Sequence, residues 1–330
     1  MNNLYCLRIG TGMHYRDACQ RPTTVLVHLA AGIGNIVLAT PLLLVLSRQG
    51  YTLDVLVDGD YRETADLFRG WSLLRAVYGS TEKERPTEAY DIRIPAIPPF
   101  YWDRYEREYR GLRNSVARPP TALFERDEQA YYLEFARALG CDVTGSHSYF
   151  LPAAPDEAHR ITADTVVLAP GCKTGTMAAK RWPHFPRLAE LFEDVVVVGT
   201  VDDLHNFDGM RMRFPDHVRS LVGRLSLSEV ASVMASAGIV VANDSGLGHI
   251  AGAVGSPTIL LFGPTSDLSL GRFPPNVKIL RAGMPCEPCW RAKLFAACSA
   301  RIDCLERLTV DRVFTEIVQA QAPQLRIPST

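Results

Sequence analysis

The chain has 330 residues, 47% of them hydrophobic and 22% charged, with 35 basic and 36 acidic side chains and a formal charge of −1. That length gives room for two domains, each with its own core, and the composition is that of a globular protein. The balanced charge argues against nucleic acid as the bulk partner. The first twenty residues lack the apolar core of a secretory signal. The longest apolar stretch, IVLATPLLLVLS, is too short for a bilayer and contains Pro41, so a cytoplasmic protein is expected.

In chain order, TTVLVHLA (23–30) reads as a strand and AGIGN as the turn after it. IVLATPLLLVLSRQG then reads as a helix stopped at Gly50. TLDVLVD is the next strand and completes a β-α-β unit. Residues 80–130 become polar, aromatic and proline-bearing, and are expected to form loops and short helices outside the sheet. EQAYYLEFARALG closes the first half as a helix. LPAAPDEAHRITAD has the composition of a linker, which divides the chain into 1–155 and 156–330. In the second half TVVLAPG, VVVVGT and IVVAN read as strands, and CKTGTMAAKRWPHFPRLAELF as a loop followed by a helix. SLSEVASVMASAG is a helix with a capping box at Ser226 and Glu229 and a stop at Gly238. Strand and helix alternate in both halves, which predicts an α/β protein of two Rossmann-like parallel-sheet domains.

Two strand-to-helix turns in the second half carry candidate chemistry. In NDSGLGH, a helix capped by Asp244 or Ser245 offers the unpaired N–H groups of its first turn and its positive dipole end to an anion. Gly246 has no Cβ to obstruct a ligand, and His249 could add a donor. Such a turn also suits an ordinary capped helix packing tightly on its sheet. The second turn, PGCKTGTMAAKRWP, supplies Lys173, Thr174, Thr176, Lys180 and Arg181 without the order of a Walker loop. It reads either as a solvated basic loop or as half of a diphosphate site, and two such turns together favour a nucleotide-diphosphate donor.

GIGNIVLATPLLLVL, APGCKTGTMAAKRWP, NDSGLGHIAGAVGSPTILLFGPT and PCEPC stand in the order and at the spacing of family 9 glycosyltransferases, which the chain resembles from about residue 23 onward. The resemblance implies a GT-B fold. It also implies a nucleotide-sugar donor, with ADP-heptose favoured, held by the C-terminal domain. The acceptor, a glycan or lipid-linked lipopolysaccharide core, would face the N-terminal domain. Transfer would invert the anomeric centre without a catalytic metal, with peripheral contact at the inner face of a membrane open. By the same resemblance Lys180 matches the phosphate-binding lysine of Lys-x-Trp-Pro, and Thr174 and Thr176 lie in its hydroxyl-bearing loop. Asp244 matches the acid that contacts the donor sugar, and Ser245, Gly246 and His249 match the phosphate-facing turn. A fixed lysine there offsets the charge that develops on the leaving diphosphate.

The chain departs from the family at one reacting position. Where Gly-Asp is usual, with the aspartate taking the acceptor's proton, this chain has Gly34-Asn35, and an amide cannot act as that base. Asn35 either orients the acceptor or caps the helix. Asp58, Asp60, Asp103 and Glu125 are the candidate substitutes.

Of eight cysteines, Cys6, Cys19, Cys141 and Cys172 are scattered, whereas Cys286, Cys289, Cys298 and Cys304 cluster. Four thiolates at that spacing suit a closed structural Zn²⁺ site, or iron. Four reduced thiols are the alternative, and disulfides are disfavoured in the cytosol. The resemblance points the same way, because many members carry Cys-x-x-Cys here and one that modifies autotransporters binds iron. The arginines at 104, 107, 110, 113 and 118 fit a solvated helix face or an acidic acceptor. Two competing functions remain: a nucleotide-sugar-binding protein without turnover, which Asn35 would allow, and an epimerase of GT-B architecture.

Overall fold

The computed structural model describes residues 22–79, 86, 89–108, 115–145, 148–289, 298 and 303–321. The first sheet contains β1 (Thr24–Leu29), β2 (Thr52–Val57), β3 (Leu74–Gly79) and β4 (Ile92–Ala96) in the order β3-β2-β1-β4. The second contains β5 (Val166–Ala169), β6 (Val195–Val197), β7 (Arg219–Ser220), β8 (Ile239–Asn243), β9 (Thr258–Leu261) and β10 (Val277–Leu280), ordered β10-β9-β8-β5-β6-β7. All of these pairings are parallel. Both sheets start near their middle and grow outward in two directions. Chain order therefore reverses between β1 and β4 and again between β5 and β8. At such a reversal the loops leaving the strand ends diverge and open a crevice.

The helices are α1 (Ile33–Leu38), α2 (Thr40–Arg48), α3 (Trp102–Glu108), α4 (Thr121–Arg126), α5 (Glu128–Ala138), α6 (Phe185–Ala189), α7 (Leu227–Ser236), α8 (Gly246–Ala253), α9 (Asp303–Glu306) and α10 (Val310–Gln321). Helices cover the sheets, so central strands such as β1, β5 and β8 are buried along nearly their whole length. Among the described residues no helix is long and apolar enough to cross a membrane.

Three local expectations change. The single helix expected after the first turn is two, α1 and α2, broken at Ala39. Pro41 has no N–H for the Val37 carbonyl, and the Thr40 hydroxyl donates to that carbonyl instead, at 2.7 Å. Residues 80–130 are not all outside the sheet, because β4 pairs Ile92–Ala96 with Val25–Leu29. As the edge strand it tolerates Pro95. The capping box at Ser226 and Glu229 forms as expected, but Gly238 is no left-handed stop. Its Cβ would lie 1.8 Å from the Ala163 carbonyl oxygen, so glycine is needed there for close packing. The expected linker is pinned to the second sheet's unit, with Leu151 donating to the Ala253 carbonyl and the Asp156 N–H to the Ser236 hydroxyl.

Candidate functional site

Both candidate turns of the second half leave the carboxyl ends of β5 and β8, the neighbouring strands at the reversal. Ser245, not Asp244, caps α8; its hydroxyl accepts from the Gly248 N–H at 3.3 Å. Asp244 is thereby left to charge pairing. Its Oδ2 accepts from Lys180 Nζ at 3.0 Å and from the Thr265 hydroxyl at 2.7 Å, and its Oδ1 lies 3.5 Å from His249 Nε2. Burial works against ionisation of this carboxyl, but Lys180, His249 and Thr265 outweigh it and hold the group well below the usual carboxylate range. His249 packs between Tyr149 and Phe273, and its Nδ1 is buried without a partner.

A latch in the second turn explains why Lys180 reaches Asp244. The Asn243 side chain, fully buried at the end of β8, accepts from the Trp182 N–H at 3.0 Å and donates to the Pro170 carbonyl. Trp182 is itself buried and donates from its indole to the Leu308 carbonyl at 2.7 Å. Pinning residue 182 from both sides sets Lys180 beside β8. Arg181 points inward, donating to the carbonyls of Cys172, Asp202 and His205, so it is a structural clamp and not a free cation for phosphate. Thr174 and Thr176 are exposed around Gly175, whose φ of +68° requires glycine. Lys173 lies over the Tyr61 ring of the first sheet's unit.

The turn after β1 meets the turn after β8 directly. A Cβ on Gly246 would stand 2.7 Å from Ile33 Cβ, and one on Gly34 would stand 3.0 Å from His249 Cδ2. What approaches Gly246 here is α1, not open space. Asn35 is no N-cap. It is the third residue of α1, reaching back so that its Oδ1 accepts from the Gly32 N–H at 3.1 Å. Its amide nitrogen donates to Glu128 Oε1 at 2.7 Å. Glu128 is buried and also accepts from the Tyr132 hydroxyl at 3.0 Å, a carboxylate that no sequence signal sets apart from Asp58, Asp60, Asp103 and Glu125. Of those named, Asp60, Asp103 and Glu125 are exposed, and Asp58 caps its own turn by accepting from the Gly59 N–H at 2.7 Å.

A model of glycosyltransferase family 9 (heptosyltransferase) matches residues 120–298, more than half of the chain. The chain belongs to this family. Lipooligosaccharide heptosyltransferase 2 of Haemophilus influenzae is 39% identical over 107 residues, a stretch covering 29% of this chain and 30% of that relative's length. Among solved structures, a family 9 glycosyltransferase from Veillonella parvula superposes with TM-score 0.70 at 15% identity, covering 92% of this chain and 99% of that one. ADP-heptose lipopolysaccharide heptosyltransferase II of E. coli superposes with TM-score 0.62 at 18% identity over 91% and 98% of the two chains. The iron-containing dodecameric glycosyltransferase TibC from enterotoxigenic E. coli does so with TM-score 0.62 at 17% identity, over 91% of this chain and 76% of that one. The two facing parallel sheets have the GT-B arrangement of these neighbours.

In this family 9 chain the cysteine cluster backs onto the turn after β9. Cys289 N–H donates to the Pro264 carbonyl at 2.8 Å, and a Cβ on Gly263 would lie 3.0 Å from Cys304 Sγ. Thr265, the partner of Asp244, follows in the same turn. Burial first, then neighbouring Cys286 and Cys298, raise the Cys289 thiol, and burial with Glu287 pushes Cys304 up to about 12. The four thiols are thus neighbours, but among the described residues no three metal-ligating side chains converge on one point. Cys141 and Cys172 are buried separately, and Cys6 and Cys19 lie outside the described residues. Arg104 pairs with Glu108 at 2.7 Å and lies over Tyr101, while Arg118 lies over Trp102. Arg107 is exposed, and Arg110 and Arg113 lie outside the described residues.

Proposed function

We propose that the chain is an inverting glycosyltransferase that moves a heptose from ADP-heptose to a lipopolysaccharide-core or related glycan acceptor. The donor would lie against the second sheet's unit (156–330) and the acceptor against the first (1–155). The observation that carries this reading is the Lys180–Asp244–His249 group at the β5/β8 reversal, with Asp244 and His249 buried and Lys180 partly so, facing the Gly34–Asn35 turn across the seam. Lys180 has three N–H donors, so it can keep Asp244 and still take a phosphate oxygen. As the anomeric bond breaks, charge grows on the diphosphate beside this fixed cation. The relatives, heptosyltransferases of lipooligosaccharide and lipopolysaccharide, support the sugar and the acceptor class. Asn35 supports the second reading, a donor-binding protein without turnover.

Calorimetry with ADP tests the donor side. Lys180→Ala is expected to weaken ADP binding by about 1.5–3 kcal/mol, the range for a charge-assisted hydrogen bond. Unchanged affinity in a folded variant removes Lys180 from the site.

A structural metal at Cys286, Cys289, Cys298 and Cys304 belongs to the same proposal. It would need the thiols to converge further than they do, and the iron in TibC supports it. No catalytic step passes through it. Purified protein is expected to carry about one Zn or Fe per chain, and Cys286→Ser to lower stability more than ADP affinity. Elemental analysis that finds no metal ends this part of the proposal.

A further inference from the structure

The transferase reading needs a group that takes the acceptor's proton, and the residue at the expected position is an amide whose two ends are both committed. Asn35 Oδ1 accepts from the Gly32 N–H at 3.1 Å and Nδ2 donates to Glu128 at 2.7 Å. That orientation leaves the amide no basic atom and sets a carboxylate immediately behind it. Resting on that reading, we propose that Glu128 is the catalytic base, displaced from the Asn35 position onto a different helix.

Glu128 sits where α5 meets the second unit. It is the first residue of α5, after the N-cap Asp127, whose carboxylate accepts from the Ala130 N–H at 2.8 Å. The next residue, Gln129, crosses to the second unit and donates to the carbonyls of Leu270 and Arg272, both at 2.9 Å. The start of α5 therefore touches both halves of the protein. Glu128 is only 4% exposed, so bulk water has little access to its carboxylate. Tyr132, fixed protonated by burial and by the neighbouring carboxylate, orients Oε1 by donating to it at 3.0 Å.

The other buried acid of the seam is poorly suited. Asp244 is already committed to the charged turn, paired with Lys180 Nζ at 3.0 Å and accepting from the Thr265 hydroxyl at 2.7 Å. In the step itself, the acceptor oxygen bonds to the anomeric carbon as its proton passes to Glu128, directly or through one water. The bond from that carbon to the diphosphate oxygen breaks, the nucleotide diphosphate leaves with the electron pair, and Glu128 later returns its proton to solvent. Asn35 is then a positioning residue, holding Glu128 against α1.

The test follows release of ADP from ADP-heptose, with a deacylated core oligosaccharide as acceptor, beside calorimetry with ADP alone. Glu128→Gln keeps an oxygen for Asn35 and Tyr132 but removes the charge. It is expected to lower kcat by about 10²–10⁴-fold, as loss of a general base does, with ADP affinity unchanged. Adding Asn35→Asp to Glu128→Gln is expected to restore at least tenfold of that loss, which a merely structural role of Glu128 would not permit. Should Glu128→Gln fail to fold, Glu128→Asp retracts the carboxylate and is expected to lower kcat roughly 10–100-fold. Wild-type kcat in Glu128→Gln, or in Glu128→Asp where the first variant is unfolded, overturns the assignment and leaves the transferase reading standing. A wild-type protein that neither binds ADP nor releases it from the donor overturns both.

Discussion

The turn after β1 and the turn after β8 occupy matching places, each at the reversal of its own sheet, and they abut at Gly34 and His249. Their electrostatics differ sharply. The β8 turn carries an acid held ionised, with Lys180 of the β5 turn and its own His249 within 3.5 Å of it. The β1 turn carries a neutral amide, and the nearest carboxylate to it belongs to a helix 93 residues further along the chain. The charged turn suits a ligand that brings its own charge, such as a diphosphate. The neutral one suits a hydroxyl, which must be oriented before it loses a proton. On the proposed function, the charged turn would serve the donor and the neutral one the acceptor.

Breaking the charged turn should have the largest effect. Lys180→Ala leaves Asp244 buried with only His249 and Thr265 to offset it, and removing one partner of a buried pair costs about 3–5 kcal/mol. Because those two partners remain, a loss near the lower end is expected in urea unfolding. A change under ~1 kcal/mol would mean that water reaches the pair and screens it.

The same carboxylate fixes the acid response. Its folded-state titration lies below that of an unfolded aspartate, so the unfolded chain binds the proton first as pH falls. The stability it contributes is therefore fully present above the ordinary aspartate range near ~4 and is lost progressively below it. Unfolding midpoints between pH 6 and pH 3 should fall more steeply in the wild type than in Asp244→Asn. Parallel curves would contradict the ion-pair account.

The neutral turn should yield smaller changes. Asn35→Ala removes hydrogen bonds to Gly32 and Glu128, a loss of about 1–2 kcal/mol in stability, and should slow turnover by less than the ~10²–10⁴-fold expected of a base. Asn35→Asp sets two carboxyls side by side, where one must hold a proton, and should retain or raise transfer. Abolished turnover in Asn35→Ala with intact ADP affinity would make Asn35 itself central.

Much of this was legible in the sequence, because it rests on short-range patterns. Alternating apolar strands and helices gave both parallel sheets, Ser226 and Glu229 marked their helix start, and the Asp244–His249 and Lys180 loops fell where the strands end. The misses come from contacts between distant residues. β4 is short, bears Pro95 and lies in polar surroundings, so only its pairing with β1 reveals it. Arg181 looked like a ligand cation until three carbonyls claimed it. Thr265, Asn243 and Glu128 become functional or structural partners only when the fold brings them to Asp244, Trp182 and Asn35. A polar residue opening α5 looks the same in sequence whether or not it faces a cleft.

The central claim, donor chemistry on the charged turn and hydroxyl attack on the neutral one, is tested most directly by the stereochemistry of a single turnover. The purified chain is incubated with ADP-heptose and a deacylated lipopolysaccharide-core acceptor, and the product is followed by NMR at its anomeric proton. Attack from the side opposite the diphosphate predicts release of ADP with one new glycosidic linkage of inverted configuration. Retention of the donor's configuration, or ADP bound tightly with no product formed, would contradict it.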